Sequence, residues 1–142
     1  MKGSAYARVL LDTGPLVALL SRNDSRHEDC VTQLHAIRPP LFTSWPVLTE
    51  ADWLLRTQPS AIRQMMTWIN AGIITILPIG EEAIPWMMTF LRKYKRLKPQ
   101  IADASLVYLA ERDNVNTIFT LDSRDFSIYR FGRNQSLNLL PE

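Results

Sequence analysis

The sequence is poor in the residues that cross-link chains or bind soft metals. Its 142 residues include one cysteine, Cys30, so no disulfide can form within the chain. The two histidines, His27 and His35, stand near that cysteine, but their spacing matches no zinc-binding pattern. We therefore expect these three to be ordinary helix residues, and the sequence argues against a soft-metal site.

Long hydrophobic runs, linkers and repeats are also lacking. No apolar stretch approaches membrane length, and the start "MKGSAYARVLLD" does not have the pattern of a signal peptide. The hydrophobic fraction of 46% and the charged fraction of 21% are typical of a folded, soluble protein. We expect a cytoplasmic protein without membrane contact, forming a single domain over residues 1–142.

The net charge of +2 is too small to indicate a nucleic-acid-binding protein by itself. The distribution of the basic residues says more, because five of them fall within the short stretch "RKYKRLK": Arg92, Lys93, Lys95, Arg96 and Lys98. Arg124 lies close to two aspartates further along the chain. The pattern allows a basic surface beside isolated acids, although it is equally compatible with a solvated helix face.

Short apolar runs alternate with longer segments of helical periodicity. The runs are "ARVLLD", "LFTS", "IITILPI" and "NTIFTLD", and "SLNLLP" offers a further strand near the end. Most lack the polar alternation of a half-exposed strand, which is typical of strands covered on both faces. This order predicts an α/β fold with a parallel sheet between helices.

Several helices have recognisable starts. Ser44 is a suitable cap for "WPVLTEADWLLR", and a helix is predicted over residues 81–98 with Pro85 in its first turn. A further helix is predicted from "PQIADASLVYLA". Each of the four tryptophans lies in an apolar helical pattern, so most are predicted to be core, with at most one available to stack on a base.

Two aspartates, Asp12 and Asp122, close apolar strands. Ligands of open α/β sheets bind outside the carboxyl ends of the strands, so acids at these places are candidates for a site. Either one alone is as readily explained as a helix cap or turn residue. Their joint appearance after two apolar strands favours the site.

Two further acids stand in apolar surroundings. Glu50 lies beside the apolar face of its helix, and Asp103 occurs in the first turns of a strongly apolar helix. The alternatives are a solvated boundary residue or a partner of Arg56 for Glu50, and a helix-dipole interaction for Asp103. Four converging carboxylates would repel one another unless a cation neutralised them, and oxygen ligands suit Mg²⁺ or Mn²⁺.

The segments "LLDTGPLVALL", "TEADWLL", "QIADASLVYLA" and "TLDSRDF", in this order, resemble the acidic signatures of PIN-domain ribonucleases, especially VapC-type toxins of toxin–antitoxin pairs. The resemblance covers almost the whole chain. It implies a three-layer α/β/α PIN-like fold with a central, mostly parallel sheet, and a metal-dependent endoribonuclease whose products carry a 5′-phosphate and a 3′-hydroxyl. An antitoxin partner and a homodimer are also implied, with the apolar helices around Trp53 and Trp68 as candidate surfaces.

Carried over to this sequence, the resemblance assigns the acidic site to Asp12, Glu50, Asp103 and Asp122. The expected metal ligands are Asp12, Asp103 and Asp122, for Mg²⁺ or Mn²⁺, while Glu50 completes the site or orients the attacking water. Thr13 matches a small hydroxyl residue often found beside the first acid. Family members often have one residue between the last two aspartates, whereas two residues separate Asp122 from Asp125 here. Asp125 is therefore expected either to act on the site through a water molecule or only to cap the turn.

The basic residues Arg92, Lys93, Lys95, Arg96, Lys98 and Arg124 are the predicted RNA contacts. Two other functions remain open: RNA processing outside a toxin–antitoxin pair and a non-catalytic PIN-like binding module. The sequence argues against a third, a receiver-like signalling domain with an acidic Mg²⁺ pocket. The last needs an aspartate on a middle strand and a lysine ending a late one. The strands "LFTS" and "IITILPI" provide neither.

Overall fold

The computed structural model describes residues 6–142; the first five residues of the predicted 1–142 domain lie outside this range. Five short strands form one sheet, and a two-stranded hairpin lies apart from it. The strands are β1 (Val9–Leu11), β2 (Leu41–Thr43), β3 (Ile74–Ile76), β4 (Thr117–Phe119), β5 (Arg130–Phe131), β6 (Gln135–Ser136) and β7 (Asn138–Leu140), of which β5 and β6 form the hairpin.

The sheet has the order β3-β2-β1-β4-β7, and every neighbouring pair is parallel. The chain builds outward from β1 to β3 and then returns to β4 on the other side of β1. Because parallel crossovers are right-handed, this reversal places the two sets of connections on opposite faces of the sheet. The prediction of a three-layer α/β/α fold with a parallel sheet is confirmed.

Seven helices connect the strands of the described chain. They are α1 (Thr13–Leu20), α2 (His27–Leu34), α3 (Trp45–Leu54), α4 (Pro59–Asn70), α5 (Ile84–Lys93), α6 (Ile101–Arg112) and α7 (Ser123–Phe126). The backbone N–H of Val47 donates to the Oγ of Ser44 at 3.4 Å, so Ser44 caps α3 as predicted. None of the helices within residues 6–142 is long and apolar enough to cross a membrane.

The core surrounds the two central strands. Val9 and Leu10 of β1 and Ile118 of β4 are fully buried. Helix α6 is buried along most of its length, which explains why its sequence lacks a polar face. Residues at the ends of β1 and β4 therefore project from the most densely packed part of the molecule, and their positions are fixed by it.

The predicted extent of one helix is wrong. The predicted helix over residues 81–98 is divided, with α5 ending at Lys93 and short 3₁₀ turns on either side. The following Pro99 disfavours continuation of the helix through Lys98, which has a left-handed backbone conformation with φ of 52°. The basic stretch thus does not form one helix face.

The tryptophans are not mostly core. Trp45 and Trp53 of α3 are 59% and 63% exposed, while Trp68 and Trp86 are partly buried and pack against the core. Trp45 and Trp53 lie eight residues apart on one side of α3, and the helix buries Val47, Leu48 and Ala51 instead. Helical periodicity identifies apolar positions but does not say which of two apolar faces will meet the core.

Candidate active site

The candidate site lies where the strand order reverses. Strands β1 and β4 are adjacent and their connections leave in opposite directions, which opens a crevice at their carboxyl ends. Asp12 follows β1, and Thr120 and Asp122 follow β4. The backbone N–H of Asp12 donates to the carbonyl of Phe119 at 3.0 Å, so the two strand ends are hydrogen-bonded to each other.

Asp12 is a buried carboxylate, 7% exposed. Its carbonyl accepts from the N–H of Leu16 at 3.3 Å, so the residue ends the strand and begins α1 at once. Burial raises the pKa of Asp12 to about 7; hydrogen bonds from the Thr120 hydroxyl and the Thr13 amide oppose the rise, and the charges of Asp103 and Glu50 add to it. A large part of Asp12 is therefore protonated near neutral pH unless a cation compensates its charge.

Thr120 joins the two strand-end acids. Its hydroxyl donates to Asp12 Oδ2 at 2.7 Å and accepts from the backbone N–H of Asp122 at 2.9 Å. Sequence reasoning missed this residue, because a threonine at the end of an apolar run reads simply as a strand former. Its place two residues before Asp122 was the available signal.

Asp122 is exposed and caps the four-residue helix α7. Its Oδ1 accepts from the backbone N–H of Asp125 at 3.1 Å. The capping side chain is thus that of the first aspartate of "DSRD", whereas Asp125 contributes its backbone amide. The Asp125 side chain is half-buried, and its negative charge helps to raise the pKa of Asp103.

Asp103 lies at the third position of α6 and closes a capping box with Gln100. The Gln100 backbone N–H donates to Asp103 Oδ2 at 3.2 Å. Burial raises the pKa of Asp103 to about 6, the Gln100 hydrogen bond opposes this, and the charges of Asp122, Glu50 and Asp125 add to the rise. The small neighbours Ala102 and Ala104 are buried, so Asp103 marks the margin between core and solvent.

Glu50 reaches the same region from α3. The hydroxyl of Thr13 donates to Glu50 Oε1 at 2.8 Å, which orients the half-buried carboxylate toward the end of β1. Beneath it, the hydroxyls of Ser44 and Ser105 are 2.7 Å apart and fully buried. This contact ties the start of α3 to α6, and so fixes the helices that carry Glu50 and Asp103 relative to each other.

These side chains share one cleft of about 450 Å³. The structure brings together all four predicted acids, together with Thr13, whereas the side chain of Asp125 is not part of the lining. The cleft is lined by Asp12, Thr13, Gly14, Glu50, Leu54, Lys98, Gln100, Asp103, Leu121 and Asp122. Gln100, Leu54 and Leu121 were not predicted from the sequence as site residues.

The donor set fits a hard divalent cation. All four acids offer oxygen ligands, which Mg²⁺ and Mn²⁺ prefer. In the part of the chain that the structure describes, the only ion pairs are Arg26–Asp29 and Arg112–Asp113, so no salt bridge neutralises the cleft acids. Within residues 6–142, however, no three histidine, cysteine or acidic side chains are close enough to hold a metal as they stand. Binding would require the carboxylates to turn toward one another.

The predicted RNA contacts are dispersed. Of the six basic residues, Lys98 lines the acidic cleft, whereas Lys93 lines a separate groove of about 200 Å³ beside Trp86 and Arg130. The remaining members are exposed and lie outside both linings: Arg92, Lys95, Arg96 and Arg124. The left-handed backbone at Lys98 turns the chain just before Gln100 and Asp103.

Fold and sequence together define the class of protein. Residues 9–132 match the PIN domain, and the chain belongs to that family, as the sequence motifs predicted. Within the family it is similar to the protein named ribonuclease VapC26 of Mycobacterium tuberculosis, with 27% identity over 124 residues, covering 86% of this chain and 92% of the relative.

A solved structure gives the same fold. The crystal structure of VapC20 from Mycobacterium tuberculosis, described as a toxin that cleaves the sarcin–ricin loop, superposes with a TM-score of 0.73. It has 17% sequence identity, and the likeness covers 82% of this chain and 91% of the other. At that identity the similarity shows a common fold and nothing more. The two proteins share this fold over most of both chains.

Proposed function

We propose that this protein is a Mg²⁺- or Mn²⁺-dependent endoribonuclease and the toxin of a type II toxin–antitoxin system. The observation that carries the proposal is the convergence of Asp12, Glu50, Asp103 and Asp122 in one cleft at the reversal point of a PIN-domain sheet. The similarity to a protein named as a VapC ribonuclease supports the choice of RNA as substrate.

The roles of the acids follow from their surroundings. Asp12, Asp103 and Asp122 would hold the cation, because they approach the cleft from β1, α6 and the end of β4. Such a cation, when bound, supplies charge neutralisation on the phosphate and activation of water. Glu50, oriented by the hydroxyl of Thr13, would complete the ligand set or accept a proton from the attacking water.

The walls of the cleft suit a nucleic-acid backbone. Lys98 is the one cationic side chain in the lining, and we assign it to a phosphate beside the scissile bond. Leu54 and Leu121 supply apolar walls on the other parts of the rim. The predicted contacts that lie outside the cleft, Arg92, Lys95, Arg96 and Arg124, would meet the RNA further from the cut.

The proposed partners are an antitoxin protein and a second copy of this chain, in the cytoplasm. For the homodimer we assign the apolar face of α3, where Trp45 and Trp53 are 59% and 63% exposed. Ile101 at the start of α6 and Leu54 at the end of α3 extend this face and are 59% and 49% exposed. We call these four side chains the tryptophan face. Apolar patches of this kind mark protein interaction sites.

Two related functions are separated from this one by simple observations. A PIN-domain nuclease that acts in RNA processing would cleave RNA in the same way but would have no antitoxin gene beside its own. A non-catalytic PIN-like module would bind RNA or protein without cleaving. The desolvated carboxylates favour catalysis, since a binding module gains nothing from burying Asp12 at a cost in stability.

The test is RNA cleavage by the purified full-length protein. An RNA pool is incubated with Mg²⁺, Mn²⁺ or chelator, using wild type, Asp12→Asn and Asp103→Asn. Asp52→Asn is the matched control, because Asp52 is exposed on α3 and does not line the cleft. The expected result is metal-dependent cleavage by wild type and the control, and loss of cleavage in the two cleft variants. Equal cleavage in every sample would contradict the proposal.

A further inference from the structure

A buried tyrosine on which the charges of the cleft acids act has a hydroxyl group without a hydrogen-bond partner. Tyr129 follows α7 and is 0% exposed. Its hydroxyl is the one buried side-chain oxygen or nitrogen among the described residues that has no hydrogen-bond partner. A buried hydroxyl without a partner destabilises the folded protein, and a phenylalanine would fill nearly the same volume without that penalty. Packing therefore explains why an aromatic ring occupies position 129, but it does not explain why this ring carries a hydroxyl group.

The direction of the hydroxyl is fixed by the surrounding rings. The ring of Tyr129 lies with its centroid 5.0 Å from Phe90, 5.0 Å from Tyr94 and 5.2 Å from Phe126. The contacts with Tyr94 and Phe126 are edge-to-face. The backbone N–H of Tyr129 also donates to the carbonyl of Asp125 at 3.2 Å. A ring held in this way cannot swing toward solvent to find a partner.

The hydroxyl lies within the field of the cleft acids. Burial raises the pKa of Tyr129 far above its usual value, and four carboxylates then add to the rise, in decreasing order Asp103, Asp125, Asp122 and Asp12. The phenol consequently stays protonated, so its hydroxyl is available as a hydrogen-bond donor to a carboxylate. Three of these four carboxylates, Asp103, Asp122 and Asp12, line the cleft, and the contribution of Asp103 is the largest of the four.

Asp103 has acceptor capacity to spare. Within the described chain its carboxylate receives one hydrogen bond, from the Gln100 amide to Oδ2, and Oδ1 receives none. A carboxylate offers about four lone-pair sites, so it can accept a hydrogen bond and still bind a metal. Carboxylates that bind metals are themselves usually held by hydrogen bonds from neighbouring groups.

We infer that Tyr129 is a positioning residue for the acidic site, whose hydroxyl donates to the Asp103 carboxylate when the cleft acids close around a divalent cation. This inference rests on the proposed function. The hydroxyl has no partner in the structure, and donation to Asp103 would remove the penalty of burying it. Tyr129 acts through Asp103 and does not itself contact the RNA.

The experiment compares Tyr129→Phe with Tyr94→Phe in the full-length protein. Both variants remove one hydroxyl from the same aromatic cluster, but that of Tyr94 already accepts from the backbone N–H of Arg130 at 2.9 Å. Each protein is measured for its melting temperature in chelator and for its Mn²⁺ dissociation constant by titration calorimetry. The rate of RNA cleavage at saturating Mn²⁺ is measured as well.

The two variants are expected to differ in melting temperature and in Mn²⁺ affinity. Tyr129→Phe should keep or raise the melting temperature, by up to about 5 °C, and weaken Mn²⁺ binding by about 10-fold or more. Tyr94→Phe should lower the melting temperature and leave the Mn²⁺ dissociation constant within about twofold of wild type. Cleavage at saturating Mn²⁺ should fall less than the affinity does, because the hydroxyl orients a ligand and takes no part in the bond change.

Unchanged Mn²⁺ affinity in Tyr129→Phe would overturn the inference. So would a lower melting temperature in chelator, since it would mean that the hydroxyl already stabilises the ion-free fold. If wild type itself neither binds Mn²⁺ nor cleaves RNA, the proposed function fails, and that failure is seen before any variant is made.

Discussion

The hydroxyl of Thr120 donates to the carboxylate of Asp12 at 2.7 Å, across a separation of 108 residues in the chain. The same oxygen accepts from the backbone N–H of Asp122 at 2.9 Å, so one threonine holds both strand-end acids. The contact is buried, which strengthens it relative to an exposed hydrogen bond. The geometry of the site thus depends on a residue that carries no charge.

Replacing Thr120 by valine should impair stability and activity together. Valine has the same shape but no hydroxyl, so the buried Asp12 carboxylate loses its donor, at a cost of about 1–3 kcal/mol in the free energy of unfolding. Metal affinity or cleavage should fall by about 10- to 100-fold. Urea unfolding and cleavage rates measure the two effects. Thr120→Ser retains the hydroxyl and should recover most of both; a serine variant as poor as the valine variant would contradict the role assigned to the hydroxyl.

The ion-free protein should become less stable as the pH rises. The pKa of Asp12 is raised from 3.8 to about 7 on folding, so the folded state binds more protons than the unfolded state between these values. The free energy of unfolding therefore falls from about pH 4 to pH 7, and Asp103, with a pKa raised to about 6, acts in the same direction.

Asp12→Asn should remove most of this dependence. In chelator at pH 8 it should be more stable than wild type by on the order of 2 kcal/mol, with the difference vanishing near pH 4. Urea unfolding at a series of pH values measures it. A wild type that gains stability from pH 5 to pH 8 relative to Asp12→Asn would show that Asp12 is not a desolvated, unpaired acid.

The acidic residues of the site were easier to predict from the sequence than the uncharged residues that position them. Asp12 and Asp122 stand out because strand ends are visible in the pattern, and parallel strands bring their ends to one edge of the sheet. Tyr129 could not be found in this way, and the only signal for Thr120 was its place two residues before Asp122. Their significance depends on hydrogen bonds, or the lack of one, between residues far apart in the chain, and periodicity carries no such information.

The sequence was least informative about which side chains are exposed on the protein surface. Trp45 and Trp53 look like core residues in a helical pattern, but α3 turns a different apolar face inward. The basic stretch suggested a continuous surface, yet it is divided into a helix end, a 3₁₀ turn and a left-handed residue before Pro99. Which side of a helix faces solvent is decided by tertiary packing.

Among the basic residues, Lys98 should contribute most to RNA binding. Lys98→Gln removes the one positive charge that lines the acidic cleft and should raise KM for RNA by about 3- to 10-fold, with a shallower salt dependence. Lys93→Gln is the matched control, because Lys93 lies in another groove, 5.3 Å above the Tyr94 ring. Equal effects of the two substitutions would mean that RNA follows the basic stretch and not the cleft.

The tryptophan face should hold two copies together. A Trp45→Lys and Trp53→Lys double variant should sediment as a monomer at concentrations where wild type is a dimer, because two charges would be placed in an apolar interface. Met88→Lys serves as the control, since Met88 of α5 is comparably exposed at 56% but lies outside this face. Sedimentation velocity distinguishes monomer from dimer. A double variant that remains dimeric would show that the dimer interface lies elsewhere on the protein.

The most direct test of the account is the chemistry of the ends that the wild-type protein leaves on RNA in Mn²⁺. Hydrolysis by a metal-activated water at the four-acid cleft predicts fragments with a 5′-phosphate and a 3′-hydroxyl, and no such fragments from Asp12→Asn or in chelator. Labelling with and without prior phosphatase treatment identifies the ends. Fragments with 2′,3′-cyclic phosphates, or the same fragments in chelator, would contradict it.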